Sequence, residues 1–118
     1  MVADYRQMLS RSQAGLRFIA LMTIFNHNDD ERLRQFIADN YIAAALEERD
    51  SAARAQDFAG IFAQTRKLRV QQVMGVSEYQ AIIILQAQAD LGFYLHTVLV
   101  EQEYPHKIIS YAHQPVNA

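Results

Sequence analysis

The sequence predicts an α+β domain in which helices come first and an antiparallel sheet follows. Two observations carry that expectation. Apolar residues recur at a helical period through the first two thirds of the 118 residues, and the period changes to two in the last third. Helices gathered ahead of a run of strands joined by short turns make an α+β layer rather than alternating βαβ units. The length suits one domain covering 1–118, with 114–118 expected as a loose tail.

The first helix is expected over about 10–25. Leu16, Ile19, Ala20 and Thr23 form a stripe, with Phe18, Met22 and Phe25 beside it, a face wide enough to be enclosed by other elements. Ser10 and Gln13 have capping-box spacing, and Asp4 is an alternative start. The short polar side chains of Asn26, His27, Asn28, Asp29 and Asp30 bond their own backbone and stop the helix. Asn28 and Glu31 have cap spacing for a second helix, which presents Leu33, Phe36 and Ile37. The third starts near Asp50 or Ser51 and ends at Arg66 and Lys67, where cations suit the negative end of the dipole. Its stripe is Phe58, Ile61, Phe62 and Thr65.

Strands follow over 68–76, 79–88, 93–102 and 107–113. In the first, Leu68, Val70, Gln72, Met74 and Val76 alternate with Arg69, Gln71 and Val73. The second is dense in Ile, a β-favouring residue. With turns of even length, Gln88 lies opposite Phe93, Leu85 opposite His96, and His96 opposite His113. One sheet face then carries Tyr79, Ala81, Ile83, Leu85, Tyr94, His96, Val98, Ile109, Tyr111 and His113. The other carries Gln80, Ile82, Ile84, Gln86, Leu95, Thr97, Leu99, Glu101 and Ser110. Neither face is fully polar, so the helices are expected to cover one and a second copy of the chain the other.

Composition narrows the function. Hydrophobic residues make up 51% and the net charge is −2, which excludes disorder. The absence of Cys removes disulfide, thiol-nucleophile and zinc-thiolate chemistry. Eleven basic residues interspersed with thirteen acidic ones form no stripe for nucleic acid. No apolar run is long enough to cross a bilayer, and Asp4 and Arg6 sit where a signal peptide is apolar. A cytoplasmic location is expected, with no nucleic-acid and no membrane partner.

Tyr-x-His occurs twice, as Tyr94-Leu95-His96 and Tyr111-Ala112-His113. Spacing of two puts each Tyr and His on one face of a strand. Two imidazoles and two phenols around an apolar cavity suit binding of a polar ligand group, or acid–base work near neutral pH. Tyr79, Tyr94, His96, Tyr111 and His113 are therefore the candidate ligand-binding residues, and His96, His113 and Tyr94 the catalytic candidates. The competing reading, which the sequence favours, is that these amphipathic side chains serve a rim or an interface. A metal set of His96 and His113 would need Glu101, whose strand parity turns it away. No metal and no cofactor are expected.

The order of elements, with the helix end Phe25-Asn26-His27-Asn28-Asp29-Asp30, resembles the NTF2-like, or SnoaL-like, superfamily. Val100-Glu101-Gln102-Glu103-Tyr104-Pro105-His106-Lys107-Ile108 is similar to the acidic, Pro-His-Lys/Arg-Ile turn of the NTF2-like domains that accompany some β-lactamase-related serine hydrolases. The resemblance implies an α+β cone of three N-terminal helices on a curved antiparallel sheet of about four strands. It also implies an apolar pocket between sheet and helices, and a homodimer. Catalytic members of the superfamily carry an Asp or an Asp/His pair inside the cone; here no strand residue from Leu68 to Gln88 is Asp, and Asp90 falls in a turn. Neither Ser-x-x-Lys nor Gly-x-Ser-x-Gly occurs in the chain. The leading expectation is a non-catalytic module, a homodimer through its sheet, that binds a small apolar ligand or a protein. The alternative is an isomerase, dehydratase or cyclase acting on a carbonyl-bearing substrate. In it His96 or His113 would be the base, and Tyr94, Tyr79 or Tyr111 would donate to the oxyanion.

Overall fold

The computed structural model describes residues 5–116. Five helices pack on a curved, four-stranded antiparallel sheet. The helices are α1 (Tyr5–Ser10), α2 (Gln13–Asn26), α3 (Asp30–Asn40), α4 (Ala43–Glu48) and α5 (Ser51–Thr65). The strands are β1 (Leu68–Val76), β2 (Gln80–Ala87), β3 (Phe93–Val100) and β4 (Ile108–Pro115), in the spatial order β1-β2-β3-β4. Among the described residues no helix is long and apolar enough to cross a membrane.

The helix expected over 10–25 is two helices with a break at Arg11-Ser12. Ser12, not Ser10, is the cap of α2: its hydroxyl accepts from the Gly15 amide at 3.0 Å and donates to the Ser77 carbonyl at 2.6 Å. One side chain thus ends the helix and ties it to the β1–β2 turn. Gly15 is needed there, because a Cβ would sit 2.0 Å from the Leu9 carbonyl oxygen. The face of α2 that meets the sheet is Ala14, Phe18, Leu21, Met22 and Phe25, while Leu16 is exposed.

Asp29 caps α3 through the Arg32 amide, while Asn28 takes a positive φ of 54°. Asp50 caps α5 through the Ala53 amide. That helix stops at Thr65, so Arg66 lies beyond its end. The added helix α4 follows Tyr41, whose bridge to Ile108, together with the bond from the Ile42 amide to the Ile108 carbonyl, fastens the α3–α4 link to β4. Phe25 meets Phe58 and Phe62 edge-on at 6.3 and 5.4 Å, so α2 and α5 share the aromatic centre of the core.

The Asn26 side chain closes the open start of β1. Its amide donates to the Leu68 carbonyl and accepts from the Leu68 amide, both at 2.9 Å, replacing a missing ladder partner.

The two faces of the sheet divide largely as the parity argument expects. His96 lies opposite His113. The β2–β3 loop is longer by one pair, so Gln86 rather than Gln88 opposes Phe93, and Ile83 rather than Leu85 opposes His96. A shift of two keeps every side chain on its face. A bulge in β4 after Ile108 breaks parity, which buries Ile108 and turns Ile109 outward. Two bulges in β1, between Val70 and Gln72 and between Val73 and Gly75, replace simple alternation. The inward set there is Leu68, Val70, Val73 and Val76. Gln114 and Pro115 pair with Leu95 and Tyr94 and are strand rather than tail; of the expected tail, residues 117–118 lie outside the described residues.

Candidate functional site

The two Tyr-x-His pairs meet on the inner face of β3 and β4. His96 is 1% exposed. Its Nδ1 lies 2.6 Å from the Tyr111 hydroxyl and its Nε2 lies 2.7 Å from His113 Nδ1. The His113 ring stacks on Tyr94 at 4.9 Å between centroids, 12° from parallel. The sheet register places these groups; the helices then enclose them. Phe18 of α2 meets His96 edge-on at 6.4 Å, and Phe58 of α5 meets Tyr111 at 5.5 Å.

Burial sets the charge state. Desolvation, reinforced by the neighbouring His113, pushes His96 down to about 3. Burial also lowers His113, and it raises Tyr111 well above the ordinary phenol value. Burial raises Tyr94 too, with Asp90 adding to the shift. At neutral pH the cluster is therefore uncharged, and its hydrogen bonds must run in one direction. Either Tyr111 donates to His96 and His96 donates to His113, or both bonds reverse. A shift of the two bridging protons alone would leave a phenolate on Tyr111 and a cation on His113, so passing from one arrangement to the other needs a proton released at one end of the chain and another taken up at the other.

The cluster faces little open space. The recess against it has a volume of about 90 Å³ and is bounded by Tyr41, Arg54, Asp57, Phe58, Ile61, Tyr111 and His113. That is room for a few waters, below the ~300 Å³ of an ordinary small-molecule site. On the helix side Phe18 and Phe58 pack edge-on against the His96 and Tyr111 rings. Tyr79 belongs to another place altogether. It stacks on His106 at 5.8 Å, beside the β3–β4 turn. In that turn the Glu101 carboxylate accepts from the Lys107 amide at 3.0 Å, so Glu101 is engaged away from His96. Among the described residues no group of three or more His, Asp or Glu could hold a metal ion.

Sequence reasoning did not find the polar wall of the recess. The Arg54 guanidinium lies over the Tyr41 ring, 5.0 Å from its centroid, and donates to the Ala45 and Arg49 carbonyls. Burial outweighs that cation and lifts Tyr41 to about 12. Arg49 grips Asp57 through two bonds of 2.7 Å. These residues come from three separate segments, so no spacing in the sequence announces them.

Larger hollows open at the opposite edge of the sheet. One, of about 460 Å³, lies beside Asn26, Lys67, Arg69, Gln86, Gln88 and Leu91. Another, of about 330 Å³, runs between α2 and β1.

Comparison with protein-family models, curated proteins and solved structures returns no match to this chain.

Proposed function

We propose that the chain is an NTF2-like domain that works as a non-catalytic interaction module and pairs with a second copy through the outer face of its sheet. The observation that carries this reading is the make-up of that face. The central rows are Ile82, Thr97 and Ala112, then Ile84, Leu95 and Gln114, with Phe93 at one end and Leu99 at the other. Arg69, at one corner, is the single charged side chain among the outward residues of the paired strands, on a chain that is 20% charged. A two-fold contact sets a patch against itself, so like charges would face one another. A neutral apolar patch is what such a contact needs, and homodimer interfaces are the more apolar class.

The test is a charge placed in the middle of the patch. Leu95→Glu touches no inner-face contact and should convert a dimer in size-exclusion chromatography with light scattering into a monomer. An unchanged mass would remove the sheet face from the account.

The enzyme reading draws its support from the hydrogen-bonded chain Tyr111–His96–His113, which reaches the small recess. In that reading His113, the half-buried member, is the base. A substrate would have to open the recess beside it, which holds about 90 Å³.

A further inference from the structure

The two hollows at the β1 edge share walls: Asn26, Leu68 and Arg69 border both. Their characters differ. The first is flanked by Lys67, Arg69, Gln86 and Gln88. The second continues between α2 and β1 over Phe18, Ile19, Met22, Val70 and Leu85, with Arg6 at its margin. Neither wall contains an Asp or a Glu, although acids outnumber bases in the chain by thirteen to eleven. Lys67 has no carboxylate partner among the described residues, and Arg69 makes one bond, to Gln86 Oε1 at 3.3 Å. A basic mouth that leads into an apolar trough has the chemistry of one ligand class.

We propose that the β1 edge binds an amphiphile with a carboxylate head and an unbranched acyl chain. The head lies between Lys67 and Arg69, and the chain runs past Leu68 into the trough over Ile19 and Met22. The guanidinium fork of Arg69 suits the planar, two-oxygen head. The trough supplies the affinity, since each methylene taken from water adds to binding while the head fixes direction. This site is distinct from the Tyr/His cluster and shares Arg69 and Gln86 with the corner of the sheet's outer face.

The experiment is calorimetric titration of the full chain with dodecanoate, octanoate and dodecanol. Dodecanoate should bind once per chain. Octanoate should bind more weakly, by roughly twofold or more for each methylene removed from a trough open on one side. Dodecanol should be at least tenfold weaker than dodecanoate. The double variant Lys67→Glu with Arg69→Glu, both at exposed positions, should keep the wild-type circular dichroism and lose at least tenfold in affinity for dodecanoate. Three results would each overturn the proposal: no dodecanoate binding up to millimolar concentration, equal affinity for the alcohol, or an unchanged affinity in the double variant.

Discussion

His96 Nε2 and His113 Nδ1 stand 2.7 Å apart across the β3–β4 ladder, and one of these imidazoles is almost completely enclosed. Burial disfavours a charge on either ring. Protonating His96 would put a cation into the core beside a second ring already obliged to share its proton.

Stability should therefore fall with acidification. The folded His96 titrates near 3 and the unfolded one near 6.5. A His with a depressed value contributes fully above 6.5, and the contribution is lost as pH falls from 6.5 toward 3. Between pH 7.5 and 5.0 this amounts to about 2 kcal/mol from His96 alone, and His113, shifted the same way, adds to it. Urea unfolding at the two pH values measures the difference, and His96→Phe should flatten it.

Tyr111→Phe deletes the hydroxyl that sits 2.6 Å from His96 Nδ1. It leaves a buried nitrogen without a partner and should cost about 1–3 kcal/mol. Chemical denaturation reads the loss. A change below a few tenths of a kcal/mol would show that the bond contributes nothing net.

Gly15→Ala brings a methyl onto the Leu9 carbonyl, where neither backbone segment can yield easily. The α1–α2 junction must shift, and a loss of about 2–4 kcal/mol is expected, the range of severe overpacking. A lowered thermal midpoint is the readout.

Arg66 offers the opposite sign. It holds φ 59° and ψ −147° just past the end of α5, a region that L side chains seldom occupy. Arg66→Gly should relieve that strain and raise stability by about 1 kcal/mol. The cation lying 5.8 Å from the Phe62 ring is exposed and returns only part of this.

The Tyr94, His96, Tyr111 and His113 cluster was legible in the sequence because a period of two survives any even change in loop length. The β2–β3 register moved by one pair and no side chain changed face. β1 was less legible. Nothing in Gln71 or Met74 marks a bulge, yet two of them redirect Val73 inward. The division of α1 from α2 left only faint signs, a Ser at 12 and a Gly at 15, and the six-residue α4 is too short to declare a stripe. The filled interior was beyond reach, since it depends on Phe18 and Phe58 arriving at the sheet from two different helices. That packing is a property of the tertiary fold, as is the stacking of Tyr79 on His106 beside the β3–β4 turn.

The central claim is that the neutral outer face of the sheet joins two copies of the chain. Sedimentation equilibrium of the unmodified protein across micromolar concentrations tests it most directly. The account predicts a species of twice the 13.5 kDa chain mass that dissociates on dilution. A single 13.5 kDa species throughout that range would contradict it.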